Sequence, residues 1–284
     1  MDTVVTIEAR KALLELKGDP GFATRNRLAL RDVRDGARLL PLAWTLGWLD
    51  IRLRYRGSML GPLWLTLSTG IMVGALGYLY ARIFQTNVVD YLPYIALSIV
   101  LWNFLNAVVS ESCSTFTESE GVVRAVRMPF FLFAERLLIR NVLVLAHNIL
   151  VIVVVYVVFQ VWPGWYALLA LPGLLLWAAD SLAVALLFGT FCTRFRDILP
   201  IVASVMQIAF FVTPVIWQPE QLGSGQTLLP FNPFFDLLEI VRAPLQGTLP
   251  GADVWLGAGL YSLVLFALAW GLFTRTRGRI AFWM

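Results

Sequence analysis

The chain contains 284 residues, of which 59% are hydrophobic and 14% are charged. Soluble globular proteins are about half apolar and a quarter charged, so this composition excludes that class and favours a protein that spans a lipid bilayer. The formal net charge of only +4 gives no basis for nucleic-acid binding, and one His with two Cys cannot furnish a zinc site built from these ligands.

The first 38 residues carry mixed charges and no apolar run, which is not the pattern of a secretory signal peptide. The next stretch, Leu39 to Leu49, is apolar but too short to cross a bilayer. Its two Trp residues are four apart and basic residues flank it, as in an interfacial helix. Such a helix either anchors the first span or borders a cytoplasmic substrate entrance, as a gate. The residues that would form this entrance are Trp44, Trp48, Arg52, Arg54 and Arg56.

Six charge-poor runs follow, each of about 18 to 25 residues, which is the length that a helix needs to cross hydrocarbon. The sequence therefore predicts an all-α integral membrane protein with six transmembrane helices. We expect residues 1–58 to form a cytoplasmic amino-terminal segment and residues 59–284 to form the transmembrane domain. The six spans are predicted at residues 62–84, 92–110, 142–159, 166–190, 198–217 and 254–273.

The basic residues predict the orientation of these spans. With six spans both termini share one side, and 20 of the 22 basic residues fall on that side. Only Arg82 and Arg242 fall on the other. By the positive-inside rule both termini are then cytoplasmic. Cys113 and Cys192 lie near the same reducing compartment, so we expect no structural disulfide between them.

A long cytoplasmic segment, residues 111–141, separates the second and third predicted spans. Thr117 and Glu120 have the spacing of a capping box, and Met128-Pro129 supplies a stop signal, so a short helix is predicted between them. This segment is either a solvated loop or a rigid projection on which a soluble partner acts. The residues of the projection are Val122, Val123, Arg124, Val126 and Arg127.

Polar residues inside the predicted spans include His147 and Asn148 in the third span and Asp180 in the fourth. Polar groups at membrane depth are costly and face the interior of the bundle. They either form hydrogen bonds within the packing or contact a substrate or gate. No ladder of carboxylates accompanies Asp180, which argues against a proton relay.

Residues 227–245 are apolar but are broken by three prolines, so they should lie on or dip into the membrane. Asp236, Glu239 and Arg242 are three apart on one helical stripe, which predicts an ion pair between Glu239 and Arg242.

The sequence offers little support for catalysis or for nucleotide binding. It contains no His-Glu-x-x-His or Gly-x-Ser-x-Gly motif, and neither Lys11 nor Lys17 belongs to a P-loop. We therefore expect no intrinsic catalytic site, no metal site and no cofactor in this chain. Any work driven by ATP must be powered by another protein.

A series of short motifs, in a fixed order relative to these spans, resembles the permease subunit of ABC transporters that export polysaccharides of the O-antigen and capsule type. The resemblance covers most of the chain. The motifs are Arg54-Tyr55-Arg56-Gly57-Ser58, Leu60-Gly61-Pro62-Leu63-Trp64, Arg127-Met128-Pro129, Arg140-Asn141, His147-Asn148, Phe195-Arg196-Asp197-Ile198, Gln207, Phe210-Phe211, Thr213-Pro214, Trp217, Asn232-Pro233, Arg242-Ala243-Pro244 and Gly247.

This resemblance implies a homodimer with a channel at its axis, located in a bacterial inner membrane. It also implies a separate nucleotide-binding subunit that binds ATP and Mg and makes the complex an ATP-driven translocase. The cargo would be a polyprenyl-diphosphate-linked polysaccharide. By the same resemblance, Val122 to Arg127 is the coupling helix and the segment before Arg54 is the gate helix. Residues 221–245 would be a pair of re-entrant helices on the outer face, before the last span.

The aromatic residues suit such a cargo, because sugar rings present apolar C–H faces that stack on aromatic rings. Each ring is alternatively an anchor that faces lipid or the interface. The runner-up function is a membrane-embedded transferase acting on polyprenyl-linked sugars, which would need an acidic pair or a His-Asp arrangement; a structural scaffold is third. The candidate channel rings are Trp102, Phe210, Phe211, Trp217, Phe231 and Phe234.

Overall fold

The computed structural model describes residues 21–57, 59, 61 and 63–284. Over these residues the only regular secondary structure is helical, which confirms the all-α prediction. Residues 1–20 of the predicted amino-terminal segment lie outside the described residues. So do Ser58, Leu60 and Pro62 of the motifs that carry the resemblance.

The described residues form eleven α-helices, which we label α1 to α11 in chain order. They are α1 Phe22–Arg38, α2 Leu40–Arg54, α3 Leu63–Ile83, α4 Val88–Ser112, α5 Glu120–Ala125, α6 Phe130–Val158, α7 Ala170–Arg194, α8 Ile198–Val212, α9 Pro233–Leu245, α10 Ala252–Thr276 and α11 Ile280–Trp283. Short 3-10 helices cover Thr117–Ser119, Gly164–Leu169, Pro219–Phe231 and Arg277–Arg279.

Five helical stretches in the described chain are long and apolar enough to cross a membrane. They contain α3, α4, α6, α7 and α10, and they match five of the six predicted spans. The third is longer than predicted, because α6 already begins at Phe130. These five are Leu63–Ile83, Val88–Ser112, Phe130–Val158, Gly164–Arg194 and Ala252–Trp283.

The helix at the remaining predicted span is shorter than the sequence suggested. It is α8, which has 15 residues and ends at Val212, whereas the span was predicted to reach residue 217. Thr213 has an extended backbone, with φ −83° and ψ 140°. Pro214 explains this end, because a proline disfavours helical geometry in the residue before it.

Helix α4 is the most buried of the five and forms the centre of the bundle. It packs against α3, α6 and α7. Its apolar residues are buried on all sides, as expected for a helix that is hydrophobic all round. Asn87 caps its first turn by accepting a hydrogen bond from the Val89 N–H over 3.1 Å. Phe104 stacks on Trp177 of α7, with ring centroids 5.5 Å apart.

The amino-terminal helices α1 and α2 lie against the start of α6. Gly47 permits the close approach of α2, because a Cβ there would lie 2.9 Å from Ile139 Cγ2. In α1, the buried Asp32 accepts hydrogen bonds from the Phe131 N–H at 3.0 Å and from Arg277 Nε at 2.6 Å. These contacts attach both helices to the transmembrane bundle.

The segment between α4 and α6 contains the short predicted helix, α5, but the predicted capping box is wrong. Thr117 Oγ1 donates to the Ser114 carbonyl over 3.1 Å, and no side chain caps α5. The physical reason is that Thr117 already belongs to a 3-10 turn leading into α5, so it lacks the extended backbone that an N-cap requires.

Candidate functional site

An open groove of about 410 Å³ runs between α3, α4 and α8. Its polar side chains come from one face of α4, at Asn103, Asn106 and Ser110, and from α8, at Gln207. Its apolar walls include Met72 and Ile99, with the aromatic rings described below. The groove therefore offers amide and hydroxyl groups next to aromatic faces, at the depth of the predicted spans.

Three of the six predicted channel rings line this groove: Trp102, Phe210 and Phe211. Trp102 lies 5.8 Å from Phe210 between ring centroids, and Phe210 lies 5.2 Å from Phe211 in an edge-on arrangement. Phe234 contacts Trp102 from behind, at 5.5 Å. These rings form one aromatic wall.

The other two predicted rings lie nearer the outer end. Trp217 donates its indole N–H to the Phe211 carbonyl over 3.0 Å, so it is fixed close to the wall. Phe231 is 78% exposed and makes no ring contact with the others among the described residues. The structure therefore groups five of the six rings and leaves Phe231 apart.

Sequence reasoning missed the polar stripe on α4. Asn103, Asn106 and Ser110 have a helical spacing of three and four residues within an otherwise apolar span. That spacing on one face of a span is a signal for an interior-facing polar stripe, and it was available from the sequence. An amide can donate and accept hydrogen bonds, which suits a ligand rich in hydroxyl groups.

At the outer end of the groove, Arg242 of α9 is buried, with 1% of its side chain exposed. Its Nε lies 2.9 Å from Glu239 Oε2, which confirms the predicted pair. Its Nη1 donates to Tyr94 Oη at 2.9 Å, to Ser98 Oγ at 3.0 Å and to the Pro214 carbonyl. Arg242 thereby connects α9 to α4 and to the turn after α8.

Three backbone carbonyls of the proline-rich segment, residues 219–245, accept hydrogen bonds from aromatic side chains. Tyr261 Oη donates to the Pro230 carbonyl at 3.1 Å, Trp177 Nε1 to that of Leu237 at 2.8 Å, and Tyr156 Oη to that of Leu245 at 2.8 Å. Asn232 caps α9, with its Oδ1 accepting from the Phe234 N–H over 3.0 Å. Within Pro219–Phe231 only Leu229 is buried, whereas most of α9 is buried.

At the opposite end of the bundle, six charged residues form what we call the charge network. It joins the end of α2, the end of α4 with the turn after it, and the start of α6. Its members are Asp50, Arg54, Glu111, Glu118, Arg136 and Arg140.

Arg140 is the centre of the charge network. Its Nη2 lies 2.9 Å from Glu111 Oε2, and its Nη1 lies 3.7 Å from Asp50 Oδ2 and 3.6 Å from Glu118 Oε2. Asp50 also accepts two hydrogen bonds from Arg136, at 2.6 and 2.7 Å. Three carboxylates thus face three guanidinium groups, and the network is electrically balanced.

The predicted entrance residues lie on α2 and in the turn after it. Trp44 and Trp48 are 53% and 45% exposed, as expected for rings at an interface. Arg54 belongs to the network, since its Nη2 lies 3.3 Å from Glu111 Oε1. Arg52 and Arg56 are exposed.

The predicted projection is α5 and the two residues after it. Val122 and Val126 are exposed apolar side chains, and α5 has no buried residue. Arg124 pairs with Glu120 at 2.7 Å on the exposed surface, and Arg127 is exposed. Only Val123 is partly buried against the core.

The three polar residues that were predicted as candidates in the third and fourth spans lie away from the groove. Asp180 accepts a hydrogen bond from Ser262 of α10 over 2.9 Å, beside an almost wholly apolar cavity of about 550 Å³. His147 Nδ1 lies 2.7 Å from the Leu143 carbonyl, and Asn148 is buried. The Asp180–Ser262 bond joins α7 to α10, whereas the His147 contact stays within α6.

The family of ABC-2 type transporters matches residues 41–245. The chain is 22% identical over 256 residues to the O-antigen export system permease protein RfbA of Myxococcus xanthus, covering 89% of this chain and 98% of that protein. It is 19% identical over 191 residues to the RfbA permease of Klebsiella pneumoniae, covering 66% and 74% of the two chains.

Proposed function

We propose a function from the premise that this chain belongs to the ABC-2 type transporter family. It is the membrane subunit of an exporter of polyprenyl-diphosphate-linked polysaccharide of the O-antigen or capsule type. The observation that carries this proposal is the groove between α3, α4 and α8, where aromatic faces stand beside amides. Sugar rings stack on aromatic faces and form hydrogen bonds with amides. The names of the two relatives agree with this cargo.

The groove is open on one side, and this supports a homodimer. Met72 of α3 and Phe211 of α8 border it and are largely exposed. Two grooves that face each other across a two-fold axis would enclose a channel, and both surfaces would lose their exposed apolar area. The channel would then lie between two copies of this chain.

We infer that α8 crosses the membrane as the sixth span. At 1.5 Å per residue its 15 residues cover roughly 22 Å, against about 30 Å of hydrocarbon. The non-helical residues 213–217 extend it, and their carbonyls are covered by Tyr91, Tyr94 and Arg242. Six spans would keep 20 of the 22 basic residues on one side, so both termini would lie in the cytoplasm of a bacterium, at its inner membrane.

This topology makes the outer segment reachable from outside at both of its ends. In a variant without Cys113 and Cys192, we expect Ser224→Cys and Thr248→Cys each to react with an impermeant thiol reagent added to intact cells. Both positions are exposed. Thr248 is chosen in place of the neighbouring Gly247, because the φ of +80° at Gly247 would strain a cysteine placed there. Mass shifts of the purified protein give the labelled fraction.

Arg279→Cys at the carboxyl end is the matched control and should react only after the cells are permeabilised. Labelling of Ser224→Cys but not Thr248→Cys from outside would mean that the segment crosses the membrane. The count of six spans would then be wrong.

We propose that α5 is the surface on which the separate ATPase acts. Its exposed valines and arginines suit a partner of mixed apolar and acidic character. ATP and Mg would be bound by that partner and not by this chain. The network beside α5 would relay its movement, since Glu118 and Arg140 connect this region to α2, the proposed gate helix at the entrance for the lipid-linked glycan.

The docking surface can be tested by reversing its charge. We expect Arg124→Glu with Arg127→Glu to reduce the recovery of the co-expressed ATPase at least tenfold, while the variant still inserts into the membrane because α5 buries nothing in this chain. Co-purification on a tag carried by the permease gives the ratio of the two subunits.

Arg275→Glu with Arg279→Glu, also exposed and cytoplasmic, makes the same change in charge elsewhere and should leave the ratio unchanged. Full recovery of the ATPase with the α5 variant would place the docking surface on another part of the chain.

A further inference from the structure

Helix α1 carries its basic residues on a single line. Four exposed arginines follow one another at intervals of four, three and four residues, which places them on one stripe of an α-helix. We call them the arginine stripe. It consists of Arg27, Arg31, Arg34 and Arg38.

The opposite face of α1 is fixed to the bundle. Ala29, Asp32 and Gly36 are its buried residues, and Asp32 binds the Phe131 N–H and Arg277. The arginine stripe therefore points away from the transmembrane helices, and the position of α1 is set by contacts that do not involve the stripe.

The arginine stripe is poorly neutralised by the described residues. The ion pair seen there joins Arg38 to Asp35 at 3.8 Å, and both side chains are more than half exposed. An exposed pair of this kind contributes little. The described chain thus leaves a line of positive charge about three turns long without a matched acidic surface.

The level of α1 along the bundle indicates what the arginine stripe faces. Trp270 donates its indole N–H to Asn26 Oδ1 over 2.9 Å, and Trp270 lies almost two turns before the end of α10 at Thr276. The first turn of α1 therefore packs on the flank of the bundle, and the contact of Asp32 with Arg277 brings the following turns to its cytoplasmic end. Leu28 and Leu30 are exposed beside the stripe, as on helices that lie in the interface.

We propose that the arginine stripe binds the headgroups of anionic phospholipids in the cytoplasmic leaflet. Arginine binds phosphate through several N–H donors, and clustered basic residues next to a transmembrane helix are attracted to anionic lipid. The exposed Trp44 and Trp48 of α2 follow directly in the chain and support the same membrane level. The stripe would hold α1, and through it the start of α6, against the membrane surface.

The test measures lipid selectivity of the purified full chain. The triple variant Arg27→Gln, Arg31→Gln, Arg34→Gln is compared with wild type by native mass spectrometry, during titration with phosphatidylglycerol and phosphatidylcholine of matched chains. Because a basic residue near an anionic surface contributes about fivefold, we expect wild type to bind phosphatidylglycerol at least fivefold more tightly than phosphatidylcholine. In the triple variant this ratio should fall close to one.

Two further variants separate the explanations. Arg196→Gln, Arg275→Gln, Arg279→Gln removes the same charge from other exposed cytoplasmic positions and should keep the wild-type ratio. Replacing the same three arginines of the stripe with Lys keeps their positive charge and should also keep the wild-type ratio. An unchanged ratio in the Gln variant, a lost ratio in the Lys variant, or an equal loss in the control would each overturn the proposal. The proposal would also be overturned if the Gln variant lost the co-purifying ATPase but kept its lipid selectivity. The stripe would then be a docking surface for protein.

Discussion

Replacing Arg140 with Met is expected to reduce polysaccharide export at least tenfold while leaving the protein in the membrane and bound to its ATPase. Arg140 contacts carboxylates from three parts of the chain: Asp50 of α2, Glu111 of α4 and Glu118 in the turn before α5. Its loss leaves these carboxylates facing one another without their central cation. Movement of α5 would then no longer reach α2.

The energetic argument sets the size of this effect. Removing one partner of a buried ion pair costs about 3 to 5 kcal/mol, because the remaining charge is left uncompensated. Arg140 is well buried, but Glu111 and Glu118 are partly exposed to water, so the cost is expected near the lower end. That is enough to separate α2, the proposed gate helix, from α5, the proposed coupling helix, without unfolding the spans.

The measurement is the amount of glycan exported per ATP hydrolysed by the purified complex in vesicles. Arg140→Lys keeps a positive charge at the centre of the network and should retain part of the export. Arg275→Met, an exposed residue, is the control. If Arg140→Met lowers hydrolysis and export in equal proportion, the network does not link the two ends.

Replacing Arg242 with Met is expected to destabilise the outer half of the protein by about 3 to 5 kcal/mol. The guanidinium is buried and binds Glu239, Tyr94 and Ser98. Without it, the Glu239 carboxylate loses its cation, and α9 loses its connection to α4. We expect the apparent Tm of the purified protein to fall by roughly 10 °C.

Thermal unfolding followed by tryptophan fluorescence measures this change. Arg82→Met removes the other outer arginine, which is exposed and lies over the Tyr78 ring, and should leave the Tm almost unchanged. Glu239→Gln keeps a hydrogen-bond acceptor and should lower the Tm less than Arg242→Met. Equal Tm values for wild type and Arg242→Met would contradict the assigned role of Arg242.

Local sequence spacing predicted the contacts that lie within one helix. The Glu239–Arg242 pair is three residues apart, so the pattern of α9 alone predicts it. The contacts of Arg242 with Tyr94 and Ser98 cross 148 and 144 residues of chain. No local pattern specifies such partners, because they depend on how α9 packs against α4.

The same difference appears in the groove and at the charge network. Hydrophobic length located five helices that are long enough to cross a membrane. Trp102 and Phe210 were predicted channel rings, and the structure places these two on the same wall. The network was not predicted, because Asp50, Glu111 and Arg140 look like separate charges until three helices bring them together. The sequence also allowed the end of α8 to be predicted, because Pro214 disfavours helical geometry at Thr213. The prediction missed it because it counted only the length of the apolar run.

The most direct test of the proposed function is where the glycan accumulates in a strain that lacks this gene. We predict that polyprenyl-linked polymer is still made at normal chain length but collects inside the cytoplasm, and that surface glycan returns when the gene is supplied on a plasmid. Fractionation with radiolabelled sugar measures both pools. Absence of polymer from all fractions would indicate a transferase, and unchanged surface glycan would contradict an export role altogether.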